Sequence, residues 1–209
     1  MGDEGIPLRP FREDDLSMLT GSAREPADWG GVKPGPLAAF WGTLRLTRCL
    51  GRYAADFVEA DLRREPIDGP AGAALLGAFF DEIVPLYPGW SPGVGPTAEP
   101  HEVVPPRGCF LVSYDGGAPI GCVAVKKLDE HTGEIKRLYV VPSARHAGVG
   151  RRLLGAIEDV ARELGCETVR LDTGDKQPAS LSLFRATGYV EIEDYNGNPY
   201  ASYWMEKRL

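Results

Sequence analysis

Cysteine is scarce: four occur among 209 residues, at Cys49, Cys109, Cys122 and Cys166. None stands in CxxC spacing, and no histidine falls at a ligand interval beside them. No metal is expected, and the four thiols are expected to stay reduced. No apolar run approaches the ~20 residues of a membrane span. The opening stretch, MGDEGIPLRPFREDD, has neither a basic region nor an apolar core, so it does not read as a secretory signal. Ile6 stands where a myristoylation pattern needs Ser or Thr. A cytoplasmic protein without a membrane partner is expected. Positive charge is also in deficit, with 23 Lys and Arg against 30 Asp and Glu, a net charge of −7. A nucleic-acid partner, which selects for a basic excess, is not expected.

Glycine and proline, at 26 and 18 residues, punctuate the chain. Residues 6–20 read as a short strand and a helix start. Residues 21–36 read as a loop, and 37–51 as a helix stopped by Gly51. DFVEADLRRE (56–65) alternates as a strand. Asp68 is placed to cap a helix running through residue 87. Residues 87–108, YPGWSPGVGPTAEPHEVVPPRG, have no periodicity, and so long a connection is usually functional or disordered. A hairpin follows, turning at Asp115-Gly116-Gly117. HTGEIKRLYVVP is a strand stopped by Pro142. GVGRRLLGAIEDVARELG is a helix whose apolar stripe is Val149, Leu153, Leu154, Ile157, Val160, Ala161 and Leu164. ETVRLDTG is a strand, and PASLSLFRATG is a short helix with Pro178 in its first turn and Gly188 at its end. YVEIEDY and SYWMEKRL close the chain as strands. From residue 56 onward this order describes one mixed α/β sheet domain, and residues 1–55 are an N-terminal extension to it.

Between the KRLYVVP strand and the long helix lies RHAGVG, residues 145–150. The first turn of a helix carries unpaired N–H groups and a partial positive charge. Gly148 and Gly150 bare that backbone, so an anion can approach several N–H groups together. Arg145, Arg151 and Arg152 crowd the same helix start, where arginine is unfavourable unless a polyanion is held there. The segment reads as a pyrophosphate cradle, with a plain βα turn as the alternative. It matches neither GxxxxGK[ST] nor GxGxxG.

Strand, Arg-x-x-Gly-x-Gly and a long amphipathic helix together resemble the GCN5-related N-acetyltransferases. The resemblance covers roughly residues 56–209 and includes a second segment, QPASLSLFRATGY, similar to that family's Asn-x-x-Ala-x-x-Leu-Tyr-x-x-x-Gly-Phe. It implies an acyl-CoA N-acyltransferase fold: a central, mostly antiparallel sheet splayed between two strands and flanked by helices. It implies acetyl-CoA as co-substrate and a small-molecule or peptide amine as acceptor, and it allows a homodimer. In IPLRPFREDDLSML the extension resembles the opening of another such domain.

Carried over by position, the resemblance gives Leu138, Tyr139 and Val140 a main-chain role along the pantetheine arm. Arg145, His146, Ala147, Gly148, Val149, Gly150 and Arg151 would hold the pyrophosphate. Gln177 replaces the usual Asn beside the pantetheine. Glu134 falls where several members carry a general base, although a salt-bridged strand residue would look the same. An amine with a pKa of about 10.4 is mostly charged at neutral pH, so a base has work to do. Phe184 replaces the tyrosine that protonates the leaving thiolate. Tyr189, Tyr195 and Tyr200 are candidate substitutes, with Tyr189 reading first as a core plug. The acceptor side is expected in the 87–108 loop, around Tyr87, Trp90, His101 and Glu102. The expected activity is direct acetyl transfer in a ternary complex. The alternatives are a non-catalytic acyl-CoA-binding module, which Phe184 motivates, and an enzyme with a longer acyl donor.

Overall fold

The computed structural model describes residues 61–209. The elements expected at 6–20 and 37–51, the loop at 21–36, Cys49 and the first residues of the 56–65 strand lie outside the described residues. The strands are β1 (Asp61–Arg64), β2 (Gly108–Asp115), β3 (Ala118–Lys127), β4 (Thr132–Val140), β5 (Thr168–Thr173), β6 (Val190–Ile192) and β7 (Tyr203–Arg208). The helices are α1 (Pro70–Ile83), α2 (Val149–Glu163) and α3 (Pro178–Ala186). The strands form one sheet in the order β1-β2-β3-β4-β5-β7-β6. Every pairing is antiparallel except that of β4 with β5. This is the mixed, mostly antiparallel α/β architecture expected. No helix among the described residues is long and apolar enough to cross a membrane.

Period-2 alternation sorts the strand residues onto two faces. Leu111, Val123, Val125, Ile135, Val169 and Leu171 pack with α2 and with Phe184 of α3. Phe110, Val112, Cys122, Ala124 and Tyr139 pack with Leu75 of α1. The α2 stripe is buried as its spacing predicts, with Leu164 only partly covered. Leu153, Leu154 and Ile157 are sealed from solvent, and truncating any of them to alanine should cost roughly 2–5 kcal/mol.

One cap differs from expectation. The N-cap of α1 is Gly69, with no side-chain cap hydrogen bond, and Pro70 opens the helix. Asp68 does not cap it. A backbone turn from Pro66 to Gly69 delivers the chain instead, and Pro70 removes one of the helix-start N–H groups that a cap would otherwise satisfy.

Two departures from a regular sheet create the cleft. β4 pairs with β5 only at Thr132, Gly133 and Glu134, after which the strands separate. β4 also bulges: its register against β3 slips between Cys122 and Ala124, and Arg137 takes a left-handed backbone with φ 59°. Such a conformation costs a non-glycine residue about 1–3 kcal/mol and persists only where the surroundings impose it. Here Cys122 Sγ donates to the Arg137 carbonyl at 3.4 Å.

Candidate active site

Where β4 and β5 part, a cleft of about 660 Å³ opens between α1, β4, the start of α2 and α3. Leu138, Tyr139 and Val140 line it on one side, Arg145, His146, Gly148, Val149, Gly150 and Arg151 at one end, and Gln177 to Ser180 opposite. His146 (φ 66°) and Gly148 (φ 79°) both adopt left-handed conformations ahead of α2. Such turns aim successive N–H groups into one concavity, a shape suited to anions. Gly148 is the N-cap of α2; no side chain caps it and no acid sits in the first turn. A Cβ at Gly148 would meet nothing within 4 Å, so glycine is needed there for its backbone angle and not for lack of room. One at Gly150 would stand 3.4 Å from Leu183 and 3.7 Å from Val140, narrowing the cleft. The shape and the bared N–H groups suit an anion such as a phosphate.

Two of the carried-over residues are otherwise engaged. The Arg145 guanidinium donates to the Val140 carbonyl at 2.9 Å and to both Glu82 carboxylate oxygens at 2.8 and 2.7 Å. It clamps the loop to α1 and occupies one acceptor site of the Val140 carbonyl. Tyr139 also donates to Glu82, at 2.8 Å, and burial together with that carboxylate pushes its phenol up to about 12. Glu82 is partly covered, which raises its pKa, but the Arg145 and Tyr139 hydrogen bonds outweigh that and lower it overall.

A second compartment, about 110 Å³, lies deeper between β4, β5 and the 87–107 loop. Phe79, Tyr87, Trp90, Lys136, Arg137, Asp172, Phe184 and Tyr200 contribute to its wall. It shares Phe79, Ile83, Leu138, Gln177 and Ser180 with the larger cleft. The two compartments therefore meet beside Leu138, just after the bulge. Of the loop residues singled out, Tyr87 and Trp90 reach this wall, while Glu102 pairs with Lys126 at 3.1 Å. His101 lies outside it, on an exposed turn.

Glu134 is 1% exposed and lines neither compartment. Its Oε1 accepts from Tyr195 Oη at 2.8 Å and Asn196 Nδ2 at 3.1 Å, and faces Lys136 Nζ at 3.1 Å. Lys136 in turn meets Asp172 at 3.0 Å. Asp172 does reach the wall, and accepts further bonds from Asn196 at 2.6 Å and Asn198 at 3.1 Å. Reading from Glu134 alone missed this second carboxylate. The signal was available in TVRLDT, where Val169 and Leu171 point to the α2 face and so set Asp172 on the face of Glu134 and Lys136.

None of the three tyrosines simply replaces Phe184. Phe184 is buried and packs against Tyr189 at 5.7 Å. Tyr189 is a core residue whose hydroxyl donates to Glu158 at 2.9 Å, and burial raises its pKa strongly. Tyr195 is likewise raised by burial and committed to Glu134. Tyr200 lines the inner compartment, but its hydroxyl donates to the Gly89 carbonyl at 2.9 Å. Cys109, Cys122 and Cys166 are buried free thiols. Burial pushes Cys109 up to about 11 and Cys122 up to about 12, and also raises Cys166. None is an activated nucleophile.

Residues 76–189 match the Acetyltransferase (GNAT) family. The chain belongs to this family. An IAA acetyltransferase of Azospirillum brasilense is 38% identical over 104 residues, which is 48% of this chain and 67% of that protein. An uncharacterised N-acetyltransferase of Schizosaccharomyces pombe is 36% identical, across 46% of this chain and 60% of its own length. A Klebsiella pneumoniae protein described as an acyl-CoA N-acyltransferase superposes with a TM-score of 0.59 at 28% identity, covering 73% of this chain and 99% of that one. A GNAT acetyltransferase of Elizabethkingia anophelis with acetyl-CoA bound shares the fold, with a TM-score of 0.52 at 16% identity over 74% of this chain and 100% of its own. The cleft of this GNAT protein is thus the product of an acetyltransferase fold, and its details are those of the residues above.

Proposed function

We propose that this GNAT protein transfers an acetyl group from acetyl-CoA directly to a primary amine within a ternary complex, with residues 56–209 as the catalytic unit and 1–55 as an extension to it. One observation carries the reading: the phosphate-fitting cleft and the inner compartment meet beside Leu138. A thioester lying along Leu138, Tyr139 and Val140 would present its carbonyl to an amine in the inner compartment. The N–H groups of residues 146–151 would hold the pyrophosphate, with Arg151 adding charge and Gln177 a side-chain amide near the pantetheine.

The acid–base work falls to a coupled group. Asp172, at the compartment wall, accepts one proton from the incoming ammonium, and Glu134 behind Lys136 holds that lysine in place. The freed nitrogen lone pair forms the new C–N bond, and the C–S bond breaks as the tetrahedral centre collapses. The second amine proton leaves with water. The sulfur departs as a thiolate and takes its proton from solvent. Phe184 cannot supply one, and a thiol of pKa near 8.5 leaves readily enough without help.

The test is calorimetric titration with acetyl-CoA, desulfo-CoA and ATP, followed by an amine screen. Binding of both coenzyme forms but not ATP is expected, with turnover reduced roughly 10²- to 10⁴-fold in Asp172→Asn at unchanged coenzyme affinity. Phe184 favours one second reading, a non-catalytic acyl-CoA-binding module. Tight binding without turnover of any amine would select it.

A further inference from the structure

The inner compartment holds a guanidinium that the acetyl-transfer chemistry does not use. Arg137 sits at the β4 bulge and is half-buried. Regular alternation would send it to the α2 face with Ile135. The bulge instead turns it to the α1 face, beside Lys136 and toward the compartment. Its guanidinium lies 5.8 Å from the centre of the Phe79 ring and 5.2 Å from that of Phe80. Its only protein hydrogen bond among the described residues goes from Nη2 to Thr97 Oγ1, at 2.7 Å. A guanidinium has five N–H donors, and Nε and Nη1 of Arg137 are not among the sealed-off, unpartnered atoms.

Among the described residues, the two lysines beside this region each have a carboxylate. Lys126 meets Glu102 and Glu134, and Lys136 meets Glu134 and Asp172. Among the described residues, Arg137 meets none within 4.0 Å. Desolvation dominates its environment, and Asp172 and Glu99 act on it through space without forming an ion pair. A charge so placed is costly unless something pairs with it. The aromatic rings hold the fork rigid, which is the preorganisation that bidentate carboxylate recognition uses. Arg137 and Asp172 therefore offer opposite poles on the wall of one small compartment.

We propose that Arg137 binds a carboxylate of the acceptor, and that the acceptor is an amine bearing a carboxylate close to its nitrogen, an α-amino acid in the simplest case. The ammonium faces Asp172 and the carboxylate faces Arg137. This rests on the acetyl-transfer reading and narrows its acceptor. The compartment, at about 110 Å³, suits such a head group, with any longer side chain extending toward the 87–107 loop.

The test is coenzyme A release by the full chain with acetyl-CoA and a panel of the standard α-amino acids, each beside its amide and its decarboxylated amine. The acids should exceed their neutral counterparts in kcat/KM by roughly tenfold or more, as expected for a buried charge-assisted contact. Arg137→Gln should bring acids and amides to similar kcat/KM, with the larger loss falling on the KM of the acids and the acetyl-CoA Kd unchanged, and Arg137→Lys should restore part of the difference. Equal turnover of acids and amides, a loss in Arg137→Gln that falls on all amines alike, or no turnover of any acid would overturn the proposal. Should Arg137→Gln fail to fold, the wild-type comparison of acids with amides decides alone. Failure to bind acetyl-CoA at all would instead strike the acetyl-transfer reading itself.

Discussion

Gly148 offers a direct test of the phosphate cradle. Its φ is 79°, and a Cβ built on it meets no atom within 4 Å. A side chain at this position pays only for left-handed backbone, about 1–2 kcal/mol, and it enters open space at the cleft. Gly148→Gln and Gly148→Glu carry the same strain and nearly the same bulk, so they differ by one negative charge. Near a protein surface, with an effective dielectric of about 20, two like charges ~4 Å apart repel by about 4 kcal/mol. That is close to a thousandfold in Kd, and solvent or a longer separation will reduce it. Calorimetry at low salt should show acetyl-CoA bound at least tenfold more weakly by the Glu variant than by the Gln variant. The gap should shrink as salt shortens the Debye length. Both variants should melt about 2–8 °C below wild type and close to one another. Equal acetyl-CoA affinity of the two variants at low salt would refute the cradle, because a phosphate beside the α2 N-terminus must feel that charge.

Other outcomes follow from the same geometry. Glu134→Gln leaves Lys136 and Lys126 short of a buried partner, so denaturant melts should show a loss of roughly 3–5 kcal/mol, with any fall in turnover accompanied by that instability. Glu82 has a depressed pKa in the folded state, so its contribution to stability is present above about pH 4.3 and fades as acid protonates it. The wild type should lose stability on acidification more steeply than Glu82→Gln, measured by Tm between pH 6 and pH 3. A Cβ at Gly174 would lie 2.0 Å from Tyr87 Oη, whose oxygen accepts from the Lys176 N–H at 3.1 Å. Gly174→Ala should therefore displace Tyr87 and raise the acceptor KM, with acetyl-CoA affinity nearly unchanged in parallel titrations.

Much of this was readable along the chain, and the readable parts share a property. The α2 stripe, the Asp115-Gly116-Gly117 hairpin, Pro178 opening α3 and the glycine-bared start of α2 are each set by neighbours a few residues away. Periodicity and turn chemistry report such features directly. Where a local rule met a competing local solution it misled. Asp68 has the chemistry of a cap, but the Pro66–Gly69 backbone turn and Pro70 leave it no such role.

The site's electrostatics were set at a distance. Glu82 and Arg145 are separated by 63 positions, and nothing near RHAGVG announces that its first arginine is taken. Glu134 and Asp172 both lie on the α1 face, yet only Asp172 reaches the inner compartment. That follows from where β4 and β5 part and from what Lys136 bridges. Arg137 faces the compartment because one inserted residue reverses its side of the strand. Among the described residues, the amino-acid sequence by itself determined the elements, their order, the family and the glycine-bared start of α2, because these depend on short-range pattern. Only the tertiary structure decided which charged groups stay open and which are already paired, because a charge's partner comes from whichever remote element folds against it.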